Sequence, residues 1–172
     1  FGPDMDYAVI KVTAVGEGSL AKVGERFAVA TELLEVVLKD ASIESHEVVA
    51  RVKGSDLTGT VCRHPFHGQG YDFDVPLYAG DFVTTEQGTG FVHVAPGHGE
   101  DDFHLGQAHQ IVIPETVDDG GKYYDHVPLF AGKHVFKVDA VVVEALKESD
   151  ALLCTGKLVH SYPHSWRSKA PL

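Results

Sequence analysis

Residues 84–107 read TTEQGTGFVHVAPGHGEDDFHLGQ, and they combine five glycines, three histidines and a run of acidic side chains. The apolar residues of 89–94 predict a short strand, which Pro96 and the glycines around it end. The acidic run predicts the start of a helix over 100–110, since acidic residues favour a first helical turn. A strand, a glycine-rich bend and an acidic helix start are typical of a segment that presents polar groups at the mouth of a pocket.

Outward from this stretch, short predicted strands alternate irregularly with a few helices. On the N-terminal side, the apolar pattern predicts a helix over 32–39 capped by Thr31, and strands over 7–15, 25–30, 47–52, 60–63, 72–77 and 81–84. On the C-terminal side it predicts a helix over 139–149, a turn at 118–121, a buried strand over 111–113 and a strand pair over 151–162. Eight or more short strands without a regular strand–helix rhythm favour a mainly β fold with peripheral helices (α+β), in a closed or nearly closed β-barrel.

The composition is that of a folded domain without a broad basic surface. A chain of 172 residues fits a single domain, over 1–172, with a core of its own. Its 14 basic and 25 acidic residues give a net charge of −11, which argues against broad phosphate binding but allows a local contact with one strand end. No apolar run approaches the ~18 residues of a membrane span, so no membrane partner is predicted.

The cysteines and the chain ends carry two further interpretations. Cys62 and Cys154 are far apart in the sequence and match no zinc spacing, which predicts reduced core thiols in a cytoplasmic protein. The chain starts at Phe1 without an initiator methionine and stops abruptly after Leu172. We therefore interpret it as part of a larger protein.

Three kinds of chemistry fit the 84–107 stretch poorly. A metal site would have ligands of the right types but at no established spacing, namely His93, His98, Asp101, Asp102 and His104, with His64 and His67. A covalent nucleophile is disfavoured because there is no G-x-S-x-G turn and neither cysteine lies beside an obvious base. Phosphate binding by residues 97–99 would use the positive end of the predicted helix, but the three carboxylates there would repel the anion.

The carboxylates themselves allow two interpretations. Acidic residues in a first helical turn stabilise the helix dipole by about 0.3–1 kcal/mol each, without any further role. Alternatively, Asp102 shares a helix stripe with Gly106, because helical residues three or four positions apart lie on one face. The small Gly106 would let that stripe approach the barrel and turn Asp102 inward. A recessed carboxylate suits an ammonium group.

Several segments of the chain resemble one known family. Residues 88–103, GTGFVHVAPGHGEDDF, resemble the signature of the editing domain of isoleucyl-tRNA synthetase. Further segments resemble the same family: DLTG at 56–59 with HPF at 64–66, VPLFAG at 127–132, and HSYPHSWR at 160–167. The resemblance implies that 160–172 begins the return of the chain to a catalytic domain. Valyl- and leucyl-tRNA synthetases carry related domains, and the HSYPH segment favours the isoleucyl family.

The resemblance implies a post-transfer editing module. In this family a β-barrel with peripheral helices, inserted in a class I synthetase, hydrolyses the ester of valine with the 3′ end of isoleucine tRNA. The isoleucyl enzyme is a standard example of this double-sieve logic, in which a second, smaller site removes an amino acid that lacks one methylene. The implied partners are the valine-charged tRNA end and the catalytic domain of the same chain, in a cytoplasmic monomer.

The same resemblance assigns roles to individual residues. Asp102 matches the aspartate that holds the α-ammonium of the substrate, and His93 matches the histidine that lines the side-chain pocket and excludes isoleucine. Other residues of the motif are expected to contact the substrate: Thr89, Gly90, Ala95, Pro96, Gly97, His98, Gly99 and Asp101. No metal, covalent intermediate or cofactor is implied in this domain, whereas ATP and Mg are implied in the parent's catalytic domain. A positioned water would attack the ester, with backbone donors at the oxyanion.

One departure from the family leaves three hypotheses open. The family's threonine-rich segment (Thr-Thr-Thr-Pro-Trp-Thr), which forms the other wall of the site, lies upstream of the residues in this chain. The first hypothesis is a deacylase, weak or inactive as an isolated fragment. The second is non-catalytic binding of an amino acid or tRNA end by half a pocket. The third is a metal-dependent hydrolase that uses His93, His98 and Asp102.

Overall fold

The first half of the chain forms a three-stranded antiparallel sheet. The computed structural model describes residues 1–156 and 164–167. Strand β1 (Asp6–Val15) lies in the middle, with β2 (Arg26–Ala30) on one side and β3 (Ile43–Lys53) on the other. Successive side chains of a strand point to opposite faces, so β1 buries one face through Ala8, Ile10 and Val12. Tyr7 lies on the opposite face and is also buried.

A short helix covers this sheet. The chain leaves β2 through a 3-10 turn at Thr31–Leu33 and enters α1 (Leu34–Asp40). The apolar stripe predicted for this helix is confirmed, because Leu34, Val37 and Leu38 are buried in the main core cluster. The predicted cap is wrong. Thr31 lies inside the 3-10 turn, which begins after Ala30 without a side-chain cap.

The second half of the chain has less regular structure and its own small core. Strands β4 (Val61–Arg63) and β5 (Asp74–Pro76) pair antiparallel. Two helices follow, α2 (Glu100–Ala108) and α3 (Asp139–Glu148). A second buried cluster contains Phe66, Val127, Phe130 and Val138. None of the helices within the described ranges is long and apolar enough to cross a membrane.

Several predicted strands are absent from the described residues. Residues 81–84 form a turn, and the predicted strands over 89–94 and 151–156 are not formed. The segment over 111–113 is neither buried nor a strand, since the side chain of Val112 is 84% exposed. Its backbone instead closes α2, because the amide of Ile111 donates to the carbonyl of Gly106 at 2.8 Å. Residues 157–162, the rest of the last predicted pair, lie outside the described residues.

The fold is therefore a mixture of sheets and a few helices, as expected, but with fewer strands. The described residues contain five strands in two separate sheets, where eight or more were predicted, and no closed barrel is found among them. The segment over 89–94 explains part of the difference. It is entered through Gly88 and Gly90, both at positive φ, and its contacts with the sheet are single hydrogen bonds rather than a ladder.

Candidate functional site

The loop that leads to α2 is fixed to the three-stranded sheet at its start. The amide of Ala30, at the end of β2, donates to the carbonyl of Thr89 at 2.8 Å. The hydroxyl of Tyr7 donates to the carbonyl of Gly90 at 2.7 Å. Gly90 has φ +82°, and a Cβ atom there would lie 2.4 Å from the Cβ of Ala30. Only glycine combines that backbone conformation with that approach.

Asp102 ties the end of the same loop to the start of α2. The helix begins after Gly99, and Asp102 is its third residue. Its Oδ2 atom accepts a hydrogen bond from the amide of Ala95 at 2.9 Å, and the side chain is half-buried. Within the described residues, Oδ1 accepts no hydrogen bond. The loop backbone therefore engages one oxygen of the carboxylate and leaves the other without a hydrogen bond among the described residues.

The face of α2 that carries Asp102 packs against the loop. Gly106, one turn further along, is buried, and a Cβ atom there would lie 2.7 Å from the Cβ of Pro96. The expected close approach of this stripe is confirmed, but its partner is Pro96 of the loop rather than the wall of a barrel. Asp102 consequently points toward the loop backbone and is only partly inside.

This packing makes a prediction for Gly106→Ala. The added methyl group overpacks the contact with Pro96 at a cost of about 1–3 kcal/mol, and the higher helix propensity of alanine offsets up to ~1 kcal/mol of it. We expect the free energy of unfolding, measured by urea denaturation, to fall by about 1–2 kcal/mol. Gln107→Ala, at the next and exposed position, should change it by less than about 0.5 kcal/mol. A Gly106→Ala variant as stable as the parent would contradict the packing.

His93 lies between the two anchored ends of the loop. Its side chain is exposed and makes no hydrogen bond with the described residues. His93 also acts on His64, whose pKa is lowered first by burial and then by the charge of His93. The ring of His64 stacks on Tyr71 at 4.6 Å, and its Nδ1 accepts from the amide of Phe66 at 3.0 Å. The HPF segment therefore interacts electrostatically with His93, which its position in the sequence does not indicate.

The remaining predicted site residues fall into two groups. Thr89 and Gly90 lie at the sheet, where the hydroxyl of Thr89 accepts from the amide of Phe91 at 3.3 Å. The others surround the turn before α2, in which the amide of His98 donates to the carbonyl of Ala95 at 2.9 Å. The structure thus brings most of the predicted site residues together at the end of the loop and the start of α2. This second group contains Ala95, Pro96, Gly97, His98, Gly99, Asp101 and Asp102.

Two cavities among the described residues lie away from the 84–107 stretch. A cavity of about 260 Å³ is bordered by the Lys22–Asp150 ion pair, and another of about 170 Å³ lies near Asp40 and Cys154. Neither is lined by a residue of 84–107. No three His, Cys, Asp or Glu side chains in the described part of the chain are grouped so that they could hold a metal ion.

Comparison with known proteins identifies related sequences over nearly the whole chain. Residues 20–144 match the family described as "Leucyl-tRNA synthetase, editing domain". The isoleucine–tRNA ligase of Pelagibacter ubique is 51% identical over 168 residues, covering 98% of this chain and 18% of that protein. The isoleucine–tRNA ligases of Gluconobacter oxydans and Caulobacter vibrioides are 43% and 44% identical, each covering 100% of this chain and 19% of the relative. The chain thus spans about a fifth of the length of these relatives.

Proposed function

Because this chain belongs to the editing-domain family of the aminoacyl-tRNA synthetases, we propose that it is the post-transfer editing site of an isoleucine–tRNA ligase. The proposed reaction is hydrolysis of the ester that joins valine to the 3′ end of isoleucine tRNA. The observation that carries the proposal is the extent of the family match, since 20–144 includes the whole loop, His93 and Asp102. The proposal includes closure of the sheets into the family's barrel within the longer protein.

Asp102 is the proposed anchor for the amino acid. Its Oδ2 is held by the amide of Ala95, and its Oδ1 is left to accept a charge-assisted hydrogen bond from the α-ammonium. The ammonium group and the ester carbonyl are both attached to the Cα atom of the amino acid. Holding the ammonium in place therefore also positions the carbonyl. Because the aminoacyl ester is already reactive, positioning accounts for much of the proposed catalysis.

The backbone of the turn before α2 is the proposed oxyanion site. The amides of Gly97 and Gly99 donate no hydrogen bond to the described residues, whereas that of His98 is used within the turn. A water oxygen would attack the ester carbon, and the negative charge would move to the carbonyl oxygen, where such amides stabilise it. The bond to the ribose oxygen then breaks, and that oxygen takes up the proton that the attacking water has lost, which leaves free valine and the tRNA hydroxyl. No metal or cofactor takes part in this scheme.

His93 is the proposed size limit of the pocket. It lies on the same loop two residues before Ala95, and its side chain is exposed. It could therefore form one wall of the pocket proposed for the side chain of the amino acid. Valine would fit beside it, whereas the additional methylene of isoleucine would not. The second sieve would thereby spare the correct product.

A second candidate function is binding of the tRNA end without turnover. One observation favours it: neither of the cavities described above encloses Asp102 or His93. The residues that would complete the pocket would then have to come from elsewhere in the ligase. This candidate and editing differ in the rate at which the chain alone releases valine.

The test uses isoleucine tRNA charged beforehand with valine. We expect the intact ligase to release valine much faster than the ester hydrolyses spontaneously in buffer. A chelator should leave this rate unchanged. The chain of 172 residues is tested in parallel, for release and for protection of the tRNA end. An intact ligase that leaves the valyl ester at the buffer rate would contradict the proposed function. Loss of activity in chelator would instead favour a metal-dependent hydrolase.

A further inference from the structure

The phenol of Tyr7 connects three separate segments of the chain. It belongs to β1 and is fully buried, at 0% exposure. Its hydroxyl accepts from the amide of Gly2 at 3.0 Å and donates to the carbonyl of Gly90 at 2.7 Å. The sulfur of Met5 also lies within hydrogen-bonding reach of the hydroxyl, at 3.8 Å, but a thioether is a weak acceptor and competes poorly with the carbonyl of Gly90 for the single proton.

The ring of Tyr7 also shapes the start of the loop. It contacts the ring of Phe91 with 4.9 Å between centroids, and a Cβ atom at Gly90 would lie 3.2 Å from its Cε1. Because Tyr7 points away from the face formed by Ala8, residues 90–91 cover the opposite side of the sheet at this position.

The direction of the hydrogen bond to Gly90 follows from the state of the phenol. Burial raises the pKa of Tyr7, and the smaller opposing effect is the hydrogen bond from the amide of Gly2. The phenol is therefore protonated at neutral pH. Its single proton goes to the nearest acceptor, the carbonyl of Gly90.

We propose that Tyr7 is a positioning residue for the editing site, whose hydroxyl sets the start of the loop that presents His93. This inference rests on the proposed function. His93 follows Gly90 by three residues, and Ala95, which Asp102 holds, follows by five. At about 3.3 Å per extended residue, His93 lies within roughly 10 Å of the anchored carbonyl. A displacement of the backbone at Gly90 would therefore also displace His93, three residues later. It would displace Asp102 through the hydrogen bond to Ala95.

The sequence alone gives no signal for this role. Tyr7 is one aromatic residue in an apolar strand, which is an ordinary position for a core side chain. Its partner Gly90 lies 83 residues away. Only the folded chain brings the phenol beneath the loop.

The experiment replaces Tyr7 with phenylalanine in the intact ligase. Tyr71→Phe is the matched control, because it also removes one phenol–carbonyl hydrogen bond, from Tyr71 to Pro128 at 2.9 Å, while keeping its ring. For Tyr7→Phe we expect kcat for valyl-tRNA deacylation to fall about tenfold with KM within about twofold, since small displacements of catalytic groups slow chemistry more than binding. Tyr71→Phe should retain kcat within about twofold.

Hydrogen exchange of the free protein provides the second measurement. The amides of Ala30, Phe91 and Ala95, which donate hydrogen bonds to Thr89 or Asp102, should exchange about tenfold faster in Tyr7→Phe than in the parent and stay protected in Tyr71→Phe, because exchange reports local opening. Unchanged exchange, or an equal loss of kcat in both variants, would overturn the role of Tyr7. If the parent ligase releases no valine, the proposed function fails, and the exchange result still decides whether Tyr7 anchors the loop.

Discussion

Asp102→Asn in the intact isoleucine–tRNA ligase should slow release of valine from mischarged tRNA by about 30-fold or more, while leaving isoleucine activation unchanged. The carboxamide has the size of the carboxylate and can still accept from the amide of Ala95 through its oxygen. What it loses is the charge that faces the α-ammonium. Removing one partner of a desolvated charge pair costs about 2–5 kcal/mol. With 1.36 kcal/mol for each factor of ten in rate, the lower end of that range is already a loss of 30-fold or so.

A matched variant separates this role from a general effect of charge. Glu100→Gln removes a carboxylate from the same helical turn, but Glu100 is exposed and accepts no hydrogen bond from the described residues. It should keep the deacylation rate within about twofold, because acidic residues at an exposed helix start contribute only a few tenths of a kcal/mol. Valine release that is unchanged in Asp102→Asn, or reduced equally in both variants, would refute the assigned role.

His93→Ala should open the pocket to the correct product. In the parent ligase isoleucyl-tRNA(Ile) is expected to survive if, as proposed, its extra methylene is excluded by His93. Without the imidazole we expect its deacylation to accelerate by about 10- to 100-fold. One methylene in a pocket is worth about 1–3 kcal/mol, a figure for which isoleucyl-tRNA synthetase is itself a standard example. The measurement is the half-life of isoleucyl-tRNA(Ile) with each variant.

The control for this variant is another exposed histidine of the same stretch. His104 lies on α2 and should be replaceable by alanine without shortening the half-life of the isoleucyl ester. If the ester is as stable with His93→Ala as with the parent ligase, His93 has no part in size exclusion. A faster loss with both variants would indicate that the loop has become disordered in general.

The regular elements were predictable from local sequence because their causes are local. The apolar strand over 7–15 and the apolar stripe of α1 depend on neighbours within a few residues, and both are confirmed. The prediction of a strand over 89–94 was wrong because β-branched residues indicate a strand only where a partner strand is available. The segment over 111–113 failed for a related reason, since the amide of Ile111 is used to close α2.

The candidate site shows the same division between local and long-range information. The helix start at Glu100 and the close approach of Gly106 could be inferred from spacing and residue size. The identity of the partner, Pro96, could not. The hydrogen bond from Ala95 to Asp102 and the electrostatic effect of His93 on His64 depend on how the loop is folded. The resemblance of 88–103 to a known family supplied roles for these residues that spacing alone left open.

The hydrogen bond between Ala95 and Asp102 has a consequence for the energetics of recognition. It restricts the rotamers of the carboxylate before any amino acid arrives. Ordering a side chain on association costs about 0.5–1.5 kcal/mol, and here that cost is incurred when the chain folds. A valyl ester is small and makes few contacts with the protein. Its binding free energy would therefore be reduced noticeably if the carboxylate had to be ordered on binding. In the proposed reaction, a carboxylate that is already held in place would bind the small valyl ester without this cost while water attacks.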